Sequence, residues 1–354
     1  LSAFVQYTQK DSWGNNNYDW DGSGWNTYYG NLRSAKLALQ RSQELGYTLH
    51  EAIAQILMAQ NFVTLADYYG DVPYSNAVQA DEDVILPTYD SQEAVYKGAI
   101  ADFVAAAASI SSNMGNLEAF GASQDIFFGG DAEKWMKYAN SLALRYYMRL
   151  SEKDPGYAQA GVTATLAKPL ISSVDEECAL AYTGTDANSS QPSNSATGGA
   201  SAFNRVKPCT TFTDRLGELN DPRANIWFAP VAIPIKVVAA ADVPGGEDDV
   251  VVDGVRYINE ETLAANGLKI YDKDTWKADR LAGLSLVDTS STYVGLPVSY
   301  QGSEPYTYNL NPNPVQGGGN VHVSLMNDQF KDASGEFLKA RVLSYAEVCF
   351  LKAE

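Results

Sequence analysis

Aromatic side chains among polar neighbours are the residues of this chain best suited to hold a ligand. The sequence has 22 Tyr and 6 Trp, many of them in stretches rich in Gly, Asn and Ser. An aromatic ring offers an apolar face for stacking, and Tyr and Trp add a polar atom at the edge, which suits a sugar or a peptide. The alternative at each position is that the ring packs a loop onto the body of the protein. The candidate ligand-binding residues are Trp13, Tyr18, Trp20, Trp227, Trp276, Tyr300, Tyr306 and Tyr308.

Patterns for catalysis or metal binding are much weaker. The two His residues and three Cys residues fit no zinc spacing, so we predict no transition-metal site and no cofactor. The acidic loop 247–253 carries hard oxygen ligands of the kind that Ca²⁺ takes, although a solvated turn is the simpler interpretation. Neither a GxSxG nucleophile turn nor a phosphate-binding Gly-rich loop occurs. Among 43 acidic residues, however, a carboxylate pair for glycoside hydrolysis stays open.

The overall charge and hydropathy exclude two further classes. A formal net charge of −18 argues against nucleic-acid binding, because neutralising phosphates requires clusters of Lys and Arg. No apolar run approaches the roughly 20 residues that a membrane helix needs, so we expect no membrane-spanning segment.

Helices are the elements that must position these rings. Apolar residues at a spacing of 3.6 predict four helices, at 31–45, 49–69, 90–112 and 131–152, and a further one at 341–354. Paired helices of this length resemble tetratricopeptide units. We therefore predict a mainly α fold of tetratricopeptide-like helix pairs, with a long, loop-rich excursion that contains short strands.

The excursion begins where the composition changes, at about residue 155. Short β-like runs there, among them 226–228, are separated by clusters of Pro, Gly and Asn. The final helix returns to the helical scaffold, so we expect a single compact body in which the excursion is not an independent domain. The predicted segments are an aromatic loop region at 1–30, a helical scaffold at 31–154, a ligand-binding excursion at 155–338 and a returning helix at 339–354.

Three segments resemble the signatures of a known family. Residues 66–74 read ADYYGDVPY, residues 135–145 read WMKYANSLALR, and residues 345–354 read YAEVCFLKAE. In this order and separation they resemble the SusD/RagB family of outer-membrane nutrient-binding lipoproteins, and Gly295-Leu296-Pro297 resembles its SusD-like branch. We expect the residues of these motifs to have structural roles in the scaffold rather than to contact a ligand. Gly70 and Pro73 end a helix, and Arg145 and Arg149 are expected to pair with carboxylates between helices.

The resemblance implies a function that composition alone does not. It implies binding of glycans, less often peptides, at the outer surface of a Bacteroidetes cell, and delivery to a SusC-like TonB-dependent transporter without catalysis. It also implies a lipid anchor on an N-terminal Cys that is not present in this chain. Two alternatives stay open: a glycoside hydrolase, and a helical-repeat scaffold that binds only peptides or protein.

Overall fold

The chain divides into two compact units. The computed structural model describes residues 7–10, 24–186, 189–190, 203–298, 300, 302, 304–315, 319–332, 334–335 and 338–354. The helical unit comprises Gly22–Leu180 and Lys339–Glu354, and the loop-rich unit comprises Leu1–Asp21 and Ala181–Leu338. The candidate residues Trp13, Tyr18 and Trp20 lie outside the described residues. The expectation of a single compact body stays a prediction.

The described helices and strands are numbered in chain order. The helices are α1 (Asn26–Leu45), α2 (Thr48–Tyr69), α3 (Gln92–Asn113), α4 (Ala132–Arg149), α5 (Pro155–Leu166), α6 (Thr210–Glu218), α7 (Ala224–Trp227), α8 (Glu260–Ala265), α9 (Trp276–Leu281), α10 (Glu304–Thr307) and α11 (Tyr345–Ala353). The strands are β1 (Thr8–Lys10), β2 (Val72–Pro73), β3 (Tyr89–Asp90), β4 (Cys178–Ala181), β5 (Val206–Pro208), β6 (Ile235–Val238), β7 (Asp249–Val252), β8 (Val255–Asn259), β9 (Leu268–Ile270), β10 (Ser285–Val287) and β11 (Lys339–Leu343).

Consecutive helices build the helical unit. Each of α1 to α4 packs against the next helix in the chain, and α11 packs against α4. Their apolar faces form one continuous core, in which the largest fully buried side chains include Trp135, Tyr138, Phe103, Ile100 and Leu142. Full burial of one such side chain stabilises the fold by about 1.5–3 kcal/mol. The predicted mainly α fold of tetratricopeptide-like helix pairs is confirmed.

Local sequence signals fix where these helices begin and end. The Ser91 hydroxyl accepts a hydrogen bond from the backbone N–H of Ala94, and Asp131 caps α4 in the same way. Gly46 ends α1 in the left-handed conformation, with φ of 68°, and Gly70 follows α2 with φ of 76°. Glycine carries no steric penalty at these angles, so the helices end where the sequence places it.

Helix α3 is apolar enough to test the expectation about membrane spans. Among the described residues it is the single helix whose length and composition would allow it to cross a membrane. Its side chains Val95, Ile100 and Phe103 are fully buried in the core of the helical unit. A core helix passes the same test of length and composition, so this is weak evidence for a span.

Polar contacts tie the end of the chain to the helical unit. The Arg145 guanidinium donates to both carboxylate oxygens of Glu347 in α11, with Nη2–Oε2 at 2.7 Å, and to the carbonyl oxygen of Val342 at 2.9 Å. Arg149 pairs with Asp67 of α2. Both arginines therefore join helices, as predicted from the motif at 135–145.

In the described part of the loop-rich unit, small sheets and three small apolar clusters hold the chain together. Strands β6 and β7 flank β8, parallel and antiparallel to it respectively. Strands β9 and β10 pair in parallel, and β1 pairs with β5 in antiparallel register. The clusters are centred on buried residues such as Leu296, Ile258 and Phe228. Several short elements therefore replace the single core of the helical unit.

Two local elements differ from what the sequence indicated. Residues 226–228, predicted as a strand from their apolar run, lie mainly in helix α7, because Phe228 bonds back to Ala224 and closes a helical turn. Helix α5 was not predicted at all, and it belongs to the helical unit rather than to the excursion. Asp154 caps the start of α5, and Pro155 occupies its first turn. Packing against α4 places α5 in the helical unit.

Candidate functional site

A row of three aromatic rings is the best-formed candidate site of the loop-rich unit. Tyr7 directly precedes β1, which pairs with β5, and the Cys209 N–H donates to the Tyr7 carbonyl at 3.0 Å. Helix α6 begins immediately after Cys209 and carries Phe212 in its first turn. Trp227 is the last residue of α7, which packs against α6. Two short helices and a strand pair therefore set the positions of the rings.

The three rings stack in sequence. The ring centroids of Tyr7 and Phe212 are 4.7 Å apart with an interplanar angle of 19°, and those of Phe212 and Trp227 are 5.4 Å apart at 26°. Phe228, buried below, meets Phe212 edge to face at 5.5 Å. Stacking and support from the core fix the ring orientations. We call the three rings Tyr7, Phe212 and Trp227 the aromatic row.

The aromatic row is open to solvent along part of its length. Tyr7 is 49% exposed, and Phe212 and Trp227 are half-buried. Within the described part of the chain, no side chain or backbone atom accepts a hydrogen bond from the Trp227 indole N–H. Among the described residues, the row thus offers apolar ring surface together with an indole N–H that has no protein acceptor, which is the combination that a sugar ring can use.

A charged pair stands at the Trp227 end of the row. The Arg223 guanidinium lies 5.1 Å from the Trp227 ring centroid and donates to Asp221, with Nη2–Oδ2 at 2.5 Å. Hydrogen bonds from Arg223 lower the pKa of Asp221 to about 2, so this carboxylate is ionised at neutral pH. The Arg223 side chain, which is 60% exposed, can exchange solvent contacts for ligand hydroxyl groups, whereas the Asp221 side chain is only 10% exposed.

The candidate residues of the excursion lie in different surroundings. Trp276, Tyr300 and Tyr308 are only 8%, 4% and 3% exposed and pack in one apolar cluster. Their ring faces therefore contact protein, as in the packing alternative, while Tyr306 is half-buried and Trp227 belongs to the aromatic row. A ligand role for these five residues stays a prediction. For Tyr300 and Tyr308 that role would be as cavity walls.

Tyr300 and Tyr308 line a cavity of about 260 Å³ in the loop-rich unit. Its polar wall carries Arg280, whose guanidinium carbon lies 4.0 Å from the Tyr300 ring centroid and whose Nη2 donates to Glu304 Oε1 at 2.9 Å. Leu268, Leu286 and Leu310 contribute apolar wall. We call this space the Arg280 cavity.

The acidic loop at 247–253 is not arranged as a calcium site. Asp249 receives both Nε and Nη2 of Arg256, at 2.8 and 2.6 Å, and Asp248 accepts from the Asn259 amide at 2.7 Å. Throughout the described ranges, no group of three or more Asp, Glu, His or Cys side chains is gathered closely enough to hold a metal ion. These carboxylates instead form hydrogen bonds that join the β7 side of the sheet to β8.

Sequence reasoning did not select Tyr7, Phe212, Arg223 or Arg280. Tyr7 lies in the aromatic N-terminal stretch, and this was the one available signal. Phe212 and Arg223 are single residues in segments of ordinary composition. They reach the site because α6 and α7 fold against one another.

The fold is similar to that of several solved structures. A SusD homologue from Bacteroides fragilis aligns with a TM-score of 0.69 at 18% identity, over 99% of this chain and 62% of that one. A chitin-binding protein gives a TM-score of 0.66 at 19% identity, over 99% and 63%. A chitin-binding SusD homologue from Flavobacterium johnsoniae gives 0.64 at 16% identity, over 99% and 58%. The chain thus spans about three fifths of their length.

Sequence comparison is more specific. No curated protein matches the chain. A family model, SusD-like, with the description "Starch-binding associating with outer membrane", matches residues 1–240, which is more than half of the chain. The helical unit, the order of the three motifs and this match agree, and the chain belongs to the SusD-like family.

Proposed function

We propose that this protein binds glycans at the outer face of the outer membrane and passes them to a SusC-like TonB-dependent transporter, without cleaving them. The aromatic row is the observation that carries the proposal. The three rings stack on one another, so the surface that they offer consists of ring edges together with Tyr7, which is 49% exposed, beside an Arg–Asp pair. Pyranose rings have apolar faces and hydroxyl rims, so both parts of this surface would be used.

The comparisons support a carbohydrate as the ligand class. The family description names starch, and two of the similar structures are described as chitin-binding. Both polymers are chains of pyranose rings, for which a row of aromatic rings is a suitable surface. We therefore propose a neutral polysaccharide or its oligosaccharides as the ligand, with starch and chitin as the first to test.

Association with the outer membrane is a property of the family, and we propose a lipid anchor and an extracellular orientation for this member. A SusC-like transporter should be encoded beside its gene. Co-expression of the two genes and purification through a tag on this protein should recover the transporter in stoichiometric amount. Recovery of this protein alone would contradict the proposed partnership.

Glycan binding can be tested by native electrophoresis in gels that contain soluble starch or glycol chitin. Wild-type protein should be retarded in at least one gel. The Tyr7→Ala and Trp227→Ala variants should be retarded less, with a dissociation constant for maltoheptaose or chitohexaose raised roughly two- to tenfold, as expected for loss of one aromatic contact. Tyr47→Ala is the matched control, because Tyr47 is similarly exposed at 41% but lies in the helical unit.

Two outcomes would contradict the proposal. Unchanged retardation of both Tyr7→Ala and Trp227→Ala, with circular dichroism showing folded protein, would remove the aromatic row as the site. Release of new reducing ends from starch or glycol chitin by the wild-type protein would favour the glycoside hydrolase instead.

A further inference from the structure

The helical unit contains a cavity of about 390 Å³ that the proposed function does not use. Residues of α1, α2 and the segment 74–79 line it, together with Asp102 of α3. Its volume lies within the ~300–1,000 Å³ that is typical of sites for small ligands. We call this space the Asp102 cavity.

The carboxylate of Asp102 is half-buried and, among the described residues, has no Lys or Arg beside it. It accepts hydrogen bonds from two neutral groups, the Gln55 amide, with Nε2–Oδ1 at 2.9 Å, and the Tyr74 hydroxyl. Burial raises the pKa of Tyr74 to about 12, so this hydroxyl keeps its proton and donates. Burial also raises the pKa of Asp102, against the effect of the two hydrogen bonds. Charges taken out of water are normally paired, so a cation that entered the cavity would offset this cost.

The other charges around the cavity leave a surplus of negative charge. Lys36 is the one Lys or Arg among the described lining residues. Its ammonium donates to Asp81 at 2.9 Å, to Glu82 at 3.1 Å and to a backbone carbonyl at 3.0 Å, which occupies all three of its N–H donors. Glu51, also in the lining, accepts from the neutral Gln43 amide at 3.1 Å. An anionic ligand would therefore be repelled, and a cationic one attracted.

The remaining wall is apolar and aromatic, with Leu39, Met58, Phe62 and the ring of Tyr74. Tyr74 meets Phe62 edge to face at a centroid distance of 4.9 Å. Gly98 of α3 leaves room for the Tyr74 hydroxyl, because a Cβ at this position would lie 2.2 Å from its oxygen. Packing thus holds an aromatic ring next to the carboxylate. An ammonium group on a carbon skeleton can use both, since aromatic rings and carboxylates each attract cations.

We propose that the Asp102 cavity binds a small organic cation, whose primary ammonium group pairs with Asp102 while its carbon skeleton contacts the apolar wall. A metal ion fits this space less well, because the described residues gather no three Asp, Glu, His or Cys side chains that could hold one. An amino sugar and a lysine side chain both carry the required group. The site lies in the helical unit and does not depend on glycan binding by the aromatic row.

Isothermal titration at neutral pH with two matched pairs of probes tests the need for the charge. Glucosamine and N-acetylglucosamine share a sugar ring, and Nα-acetyl-lysine methylamide and Nα-acetyl-norleucine methylamide share an aliphatic chain. Only the first probe of each pair carries an ammonium group. We expect saturable binding of at least one ammonium probe, about tenfold or more tighter than its uncharged partner, because a charge-assisted hydrogen bond is gained. The pair that shows the larger difference identifies the source, an amino sugar or a lysine side chain.

Asp102→Asn keeps the size of the side chain and should remove the preference for the ammonium probe. Its melting temperature without ligand should stay the same or rise, because a half-buried charge is lost. Asp214→Asn is the matched control, since burial also raises the pKa of Asp214 and its carboxylate accepts from the Tyr271 hydroxyl at 2.7 Å, but in the loop-rich unit.

The proposal is overturned if neither ammonium probe binds, if the uncharged partners bind as tightly, or if folded Asp102→Asn binds the ammonium probe as wild type does. Retardation of Asp102→Asn in polysaccharide gels should equal that of wild type, so this proposal and that of glycan binding by the aromatic row can fail separately.

Discussion

Replacing Arg145 by Met should detach the end of the chain from the helical unit. The side chain of Arg145 in α4 is only 11% exposed. It donates three hydrogen bonds, two to Glu347 and one to the Val342 carbonyl. The variant keeps the length of the side chain but removes every donor. Both strand β11 and helix α11 lose their polar contact with α4.

The expected loss of stability follows from the exposure of the partner. Removing one member of a fully buried ion pair costs about 3–5 kcal/mol, because the other charge stays buried and unpaired. Glu347 is 38% exposed, so water can solvate part of its carboxylate after the substitution. We therefore expect a decrease of about 2–3 kcal/mol in the free energy of unfolding, at the level of hydrogen bonds to charged groups. This corresponds to roughly 4–12 °C in melting temperature.

Urea unfolding followed by circular dichroism measures the change, and hydrogen exchange locates it in residues 339–354. The control is Arg41→Met, since the Arg41–Glu44 pair is exposed on both sides, at 70% and 59%, and should contribute less than about 1 kcal/mol. Equal unfolding midpoints for Arg145→Met and Arg41→Met, with unchanged protection of α11, would refute the reasoning. It would mean that apolar contacts alone hold the returning helix.

Three further substitutions test packing and titration. Gly161→Ala should destabilise the helical unit by about 1–3 kcal/mol, because the added Cβ would lie 2.1 Å from the Tyr147 ring. Gly156→Ala in the same helix meets open space and should be neutral or stabilising, so equal melting temperatures of the two variants would contradict this reasoning. Burial lowers the pKa of His322 below its usual 6.5, so the unfolded chain binds more protons and the free energy of unfolding falls as pH drops below about 6.5. In His322→Gln the urea midpoint should change less with pH across this range, and an unchanged pH dependence would count against a neutral buried ring. Burial raises the pKa of Asp288 above 3.8, so the contribution of Asp288 to stability is most favourable below that pH and is lost as pH rises through the folded-state pKa. Over that rise Asp288→Asn should gain stability relative to wild type in melting curves, and a difference in melting temperature that does not change with pH would argue against this.

The helical unit was largely predictable because its signals are local. Apolar spacing gave helices at 31–45, 49–69, 90–112 and 131–152, and the structure has them within a few residues. Caps such as Ser91 and Asp131 act on backbone groups three residues away, so they can be recognised without the fold. Helix α5 was not predicted because its small residues show no clear apolar stripe, and its position depends on contact with α4.

The candidate site was much less predictable, because ring type does not reveal ring orientation. Trp227 and Trp276 both occur in short helical segments of the excursion, yet Trp227 is half-buried in the aromatic row and Trp276 is 8% exposed in an apolar cluster. Composition drew attention to both residues equally. Arg280 drew none, although its guanidinium, paired with Glu304, lies in the wall of the cavity.

The amino-acid sequence by itself determined the mainly α class, the positions of the first four helices, the family and the scaffold roles of Arg145 and Arg149. These depend on periodicity, capping and motifs, which act over a few residues or repeat along the chain. Only the tertiary structure decided which rings are open to a ligand and which polar atoms lack partners. Tyr7 and Phe212 are about two hundred residues apart, as are Arg145 and Glu347, and such pairs meet only when distant elements pack, because burial depends on every neighbour in space.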